Sequence, residues 1–207
     1  MADRQADWHE TETDIDDTIK VSCVRDSTEL LRHTFALKPE AVAQMPELYA
    51  RLRTALRDPV WLYLSASPYN LLPMLRKFVR RHYPPGPLLL REMTVQELGG
   101  FLKSVTVRTQ EYKERELAQL GILLLHRRWL LIGDSTQHDP EAYAATYRLY
   151  PDRVHHIWIR LVEGVSPRQE RRLNADSRFD RAFAGVPRRV WHTFRSPNEL
   201  NALVDQL

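Results

Sequence analysis

At 207 residues, 43% hydrophobic and 28% charged, the chain can build one domain of the larger kind with its own core. No apolar run approaches the ~18 residues of a membrane span, and a single cysteine, Cys23, rules out an internal disulfide framework and fits a reducing compartment. The formal net charge is only +3, too small to imply a polyanionic partner by itself.

Residues 1–12 are polar and carry no apolar signal region, so a cytoplasmic chain is expected, with 1–12 a tail leading into a weak first strand. That strand, Trp8 to Thr13, is polar where a central parallel strand is normally apolar. Glu10 and Glu12 share one face, and Thr11 and Thr13 the other. The polarity predicts an abbreviated strand, or one whose carboxylates stay near solvent or cations. Residues 20–58 are an excursion, with helices over Glu29 to Phe35 and Pro46 to Leu56. Val60 to Leu64 reads as a buried strand ending in Ser65-Ala66-Ser67-Pro68. A helix follows from Leu71 to Tyr83, with Pro73 in its first turn. Pro84-Pro85-Gly86-Pro87 is a turn, and Leu88-Leu89-Leu90 a third strand.

Gly99-Gly100 breaks any helix over 92–110, while Glu111 to Leu124 is helical. Trp129 to Ile132 is a fourth strand running into Gly133-Asp134-Ser135. Pro140 to Tyr150 is a helix with proline at its first position, and Val154 to Leu161 a fifth strand. Residues 163–189 read as polar and irregular, with room for a short helix. Val190 to Phe194 is a sixth strand, and Ser196-Pro197-Asn198-Glu199 is a capping box opening a last helix through Leu207. Strands alternate with helices throughout, which predicts a doubly wound, mainly parallel α/β sheet with helices on both faces and a single domain over 1–207.

The chemistry concentrates in Asp14-Ile15-Asp16-Asp17-Thr18. Two carboxylates two residues apart at a strand end suit metal-assisted phosphoryl transfer. A calcium loop of the EF-hand kind is excluded, because Ile19 and Arg25 stand where it needs glycine and glutamate. Downstream, in order, come Ser65 after the second strand, Lys113 at a helix start, and Gly133-Asp134 to Asp139 after the fourth strand. Each is weak alone; the ordered set is specific. Arginine-rich clusters (Arg76, Lys77, Arg80, Arg81 and His82; Arg168, Arg171 and Arg172; Arg188 and Arg189) are either solvated faces or surfaces for anionic phosphate and lipid headgroups. No nucleic-acid module signature is present, so no nucleic-acid partner is expected.

This ordered set resembles the haloacid dehalogenase-like phosphatases, and more closely the catalytic domain of the App1-type phosphatidate phosphatases. The match runs through Asp14 to Val21, Ser65 to Leu71, Pro85 to Leu88 with Leu90-Arg91, Leu131 to Ser135, Asp139 to Glu141, and Ile157 to Arg160. The resemblance implies a Rossmann-like fold with a minimal cap and the first strand between the second and fourth. It implies a Mg2+-dependent phosphatidate phosphatase of lipid metabolism, acting at a peripheral membrane surface on a lipid phosphate. Asp14 would be the nucleophile and Asp16 the acid and base. Asp14, the Asp16 carbonyl and Asp134 would hold the metal, with Ser65 and Ala66 on the phosphate and Lys113 balancing charge. Thr18 and Asp139 would support them. A phosphatase for a soluble phosphomonoester, or an impaired lipid- or protein-binding module, are the alternatives.

Overall fold

The computed structural model describes residues 9–15, 18–21, 39–91, 110–124 and 127–207. The expected helix over Glu29 to Phe35 and the Gly99-Gly100 stretch fall outside them. Among the described residues six strands form: β1 (His9–Asp14), β2 (Val60–Pro68), β3 (Leu88–Arg91), β4 (Arg128–Asp134), β5 (Val154–Arg160) and β6 (Trp191–Phe194). They make one sheet in the order β3-β2-β1-β4-β5-β6, and every neighbouring pair is parallel. The chain steps outward from β1 through β2 to β3, then crosses back to β4 and steps outward the other way. That reversal, between β1 and β4, is the switch point at which open α/β sheets take their ligands.

The helices are α1 (Met45–Ala55), α2 (Leu72–His82), α3 (110–123), α4 (Asp139–Leu149), α5 (Pro167–Leu173), α6 (Asp176–Ala182) and α7 (Asn201–Val204). Strand alternation divides the core in two, one half for each face of the sheet. On one face Met45, Leu48, Tyr49 and Leu52 of α1, with Leu75, Phe78 and Val79 of α2, cover Trp61, Tyr63, Leu130, Ile132 and Trp158. On the other, Tyr112 and Leu117 of α3, Tyr143 and Ala144 of α4 and Phe179 of α6 cover Leu64, Leu131, Ile157 and Ile159. This is the doubly wound α/β architecture that the alternation predicts. After β1 the chain pairs antiparallel at Lys20 and Ala41, with Val21 N–H on Glu40 O at 2.9 Å and Val42 N–H on Ile19 O at 2.9 Å. The excursion therefore leaves and re-enters the fold at one place.

Three expectations need correction. First, the polar first strand is neither abbreviated nor left near solvent: β1 is a full six-residue strand in the middle of the sheet, and Thr11, Glu12 and Thr13 are buried. Helix side chains meet two of these polar groups. Thr13 Oγ1 bonds the Tyr49 hydroxyl of α1, and Glu12, only 3% exposed, lies against the Tyr143 hydroxyl of α4. Second, β2 runs four residues beyond Leu64, so Ser65 lies within the strand, opposite Leu90, just before an irregularity in the β2–β3 pairing. Third, 163–189 holds two short helices, α5 and α6. Ser166 caps α5 by accepting from Gln169 N–H, and Phe179 anchors α6 in the core. Both helices are too short and polar to show a clear apolar period.

Candidate active site

Asp14 is the last residue of β1 and Asp134 the last of β4, so the two carboxylates stand at neighbouring strand ends at the switch point. Asp139 is the first residue of α4. Lys113 lies in the first turn of α3 and reaches inward. All four side chains are fully buried. Lys113 Nζ donates to Asp14 Oδ1 at 2.5 Å and to Asp139 Oδ1, bridging the two acids. Asp139 Oδ2 accepts the Asp134 backbone N–H at 3.0 Å, so both of its oxygens serve to fix neighbours. Thr18 Oγ1 approaches Asp14 Oδ2 at 3.4 Å. Burial alone would push the Lys113 ammonium down, but the Asp139, Asp14 and Asp134 carboxylates outweigh it and hold the group above its usual range. Lys113 thus stays cationic at neutral pH.

The turn after β4 is built around Asp134. Its Oδ1 accepts from Thr136 N–H, from Thr136 Oγ1 at 2.5 Å and from Gln137 N–H at 3.3 Å. Gly133 makes the approach of α4 possible: a Cβ there would sit 2.5 Å from Asp139 Oδ2 and 2.7 Å from the Tyr143 ring. Tyr143 donates to Ile132 O at 3.0 Å. Burial first, then the Glu12, Asp139 and Asp14 charges, lift its phenol well above the usual range, so it remains a donor.

Ser65 is fully buried and Ala66 nearly so. Leu64 pairs with Asp14 across β1 and β2, which places Ser65 one step further along the same edge; its Oγ accepts Ser67 N–H at 3.0 Å. Asp16 lies outside the described residues. The structure therefore brings Asp14, Lys113, Asp134, Asp139 and Thr18 together and sets Ser65 and Ala66 beside them.

Carboxylate oxygens of Asp14, Asp134 and Asp139 lie within 4.8 Å of one another. A buried set of hard oxygen donors fits magnesium and similar divalent ions, not the soft metals that seek thiolate. The sequence matches the family described as the catalytic domain of phosphatidate phosphatase APP1 over residues 12–161. The chain belongs to the APP1 catalytic-domain family. It is 28% identical over 151 residues to phosphatidate phosphatase APP1 of Saccharomyces cerevisiae, covering 72% of this chain and 25% of that protein. It is 27% identical over 170 residues to an uncharacterized protein of Schizosaccharomyces pombe, covering 79% of this chain and 27% of that one. The chain thus spans about a quarter of the length of these relatives.

Sequence reasoning missed two residues around the APP1-family site. Arg178 of α6, 14% exposed, donates to Ser135 O, to Gln137 O at 2.7 Å and to Leu173 O at 2.9 Å. It also pairs with Glu141 Oε1 at 3.2 Å. Asn174 accepts from Ser135 Oγ at 2.6 Å and donates to Val162 O at 3.0 Å. Neither sits in a recognisable motif. The Ser166-Pro167 capping signal was the available pointer to ordered helices there.

Proposed function

We propose that the chain is the catalytic unit of a magnesium-dependent phosphatase that converts phosphatidate and water to diacylglycerol and inorganic phosphate. The observation that carries this is the buried cluster of Asp14, Lys113, Asp134 and Asp139 at the switch point of an APP1-family sheet. We read residues 1–207 as one domain of this kind.

An Asp14 oxygen attacks phosphorus, the bond from phosphorus to the lipid oxygen breaks, and Asp16 gives that oxygen its proton. Asp16 then takes a proton from water, the water oxygen attacks phosphorus, and the bond to Asp14 breaks, freeing phosphate and restoring both acids. Lys113 orients Asp14 and offsets the negative charge gathered around the reacting phosphoryl group. Ser65 and the Ala66 N–H hold its outer oxygens. Asp14, the Asp16 carbonyl and Asp134 would hold magnesium, which would supply charge stabilisation to the transferring group. Thr18 supports Asp14, and Asp139 keeps Lys113 aimed.

The lipid substrate is drawn from the family and from the surface. Arg76, Lys77, Arg80 and Arg81 are exposed, and their spacing sets them along one side of α2. That face complements anionic headgroups. Among the described residues no helix is long and apolar enough to cross a membrane. We read the approach to the lipid as peripheral, through this basic face and at the cytoplasmic side.

The test is phosphate release from phosphatidate in mixed micelles and from a short soluble phosphomonoester, with magnesium and with chelator, for the wild type and Asp14→Asn. Metal-dependent release from phosphatidate, abolished in the variant because an amide cannot form the acyl-phosphate, is expected. Near-full activity of Asp14→Asn overturns the nucleophile. Release from the soluble ester alone replaces the lipid substrate, and no release from either leaves a binding module.

A further inference from the structure

We propose that Arg178 and Asn174 are positioning residues for Asp134. They would lock the backbone of residues 135–137 so that its N–H groups and the Thr136 hydroxyl hold the Asp134 carboxylate in one orientation, and thereby set the affinity of the site for its divalent cation. Both residues lie beyond the 12–161 stretch that matches the family, so the support comes from the C-terminal helices of this chain.

The geometry is that of a relay through peptide groups. Ser135 C=O accepts from Arg178 Nη1, while the N–H of that same peptide unit, belonging to Thr136, donates to Asp134 Oδ1. One planar group is held at both ends, by a guanidinium outside and a carboxylate inside. Gln137 repeats the pattern across its own residue, with its C=O on Arg178 Nη2 at 2.7 Å and its N–H on Asp134 Oδ1 at 3.3 Å. A guanidinium can do this because its fork is planar and rigid, so two carbonyls are fixed by one side chain. Hydrogen bonds in such a chain polarise one another. Glu141 steadies the fork from α4, at 3.2 Å to both Nε and Nη2.

Asn174 fixes the other flank. Ser135 Oγ donates to Asn174 Oδ1 at 2.6 Å and accepts Val162 N–H at 3.0 Å, while Asn174 Nδ2 bonds Val162 O at 3.0 Å. The Asp134 turn is thereby tied to the segment leaving β5. Partners that orient a metal ligand typically cost ten- to hundredfold in metal affinity or activity when removed.

The inference rests on the reading of Asp134 as a metal ligand, and the experiment separates the two. Mn2+ binding to the substrate-free protein is measured by electron paramagnetic resonance for the wild type, Arg178→Ala, Arg178→Lys, Asn174→Ala and the control Arg181→Ala. Arg181 is on the same helix but exposed, and bonds the carbonyl of Ser177 in its own turn at 3.1 Å. Arg178→Ala is expected to bind Mn2+ about tenfold or more weakly. Arg178→Lys, which keeps the charge and loses the fork, should fall between, with Asn174→Ala also weakened and Arg181→Ala unchanged. Turnover of Arg178→Ala should recover at magnesium concentrations far above those that saturate the wild type, which a general loss of folded protein would not produce. If Arg178→Ala does not fold, Arg178→Lys and Asn174→Ala decide by the same criterion. A wild type that binds and folded variants that bind as tightly overturn this inference alone. A wild type that binds no divalent ion overturns the metal reading of the site and this inference with it.

Discussion

Lys113 is the residue on which the site balances. A fully buried ammonium bridges two fully buried carboxylates, and removing one partner from such an arrangement costs about 3–5 kcal/mol. Lys113→Met is therefore expected to lower the urea midpoint strongly and to abolish turnover; a midpoint equal to that of the wild type would show that the acids do not need it. Its folded-state pKa is raised. The stability it confers is fully present below the ordinary lysine value of about 10.4 and is lost only as pH rises beyond that, so neutral-range pH changes leave it intact. The four members of this cluster were legible in the sequence because strand ends and a helix start carry acids and a lysine in a fixed order. Glu12 was misjudged for the opposite reason. Its neighbour Tyr143, and the Tyr49 partner of Thr13, come from helices far away in the chain, and no local pattern in residues 9–14 announces them.

At the scale of elements, α4 must approach β4 closely for Asp139 to reach Lys113. Gly133 permits this, and Gly133→Ala places a methyl group against both Asp139 and Tyr143. The expected result is a loss of about 1–3 kcal/mol in stability and a larger fall in turnover, because Asp139 is displaced from Lys113; unchanged turnover in denaturation and rate measurements would contradict it. The packing of α6 on α4 is acid-sensitive in a defined window. Burial would push the Glu141 carboxyl up, but the His138 ring, 3.7 Å away, and the hydrogen bonds and charge of Arg178 outweigh it and hold it at about 2, from an ordinary value of 4.5. A depressed carboxylate contributes stability that is present above its unfolded-state value and lost as pH falls toward its folded-state value. The difference in urea midpoint between wild type and Glu141→Gln should accordingly be constant above about pH 5 and shrink from there toward pH 3. A gap that widened with acid would rule this pair out. The two short helices concerned were illegible in sequence, since α5 buries no residue and α6 only Phe179, whereas the longer α1, α2 and α4 announced themselves by proline starts and apolar stripes.

For the whole molecule, the basic side of α2 gives the sheet a face suited to a negatively charged lipid surface. Each cation near such a surface is worth about 1 kcal/mol. Replacing Arg76, Lys77, Arg80 and Arg81 by alanine should weaken binding to anionic vesicles at least about tenfold and remove its salt dependence, while hydrolysis of a short soluble phosphomonoester is kept. Equal vesicle binding by the four-alanine variant in a sedimentation assay would point to another docking face. Strand order has a further consequence, for the making of the protein. Of the six strands, β1 leaves the ribosome first yet belongs at the centre, and one of its two neighbours, β4, emerges only after β2 and β3. Until then the half-sheet shows a bare edge at β1, of the kind that invites pairing with other chains. An apolar, β-branched strand waiting in that position would be an aggregation hazard. The glutamates of β1 blunt such an edge, so the same charge that the finished fold must accommodate suits a nascent chain whose active-site strand waits for a partner.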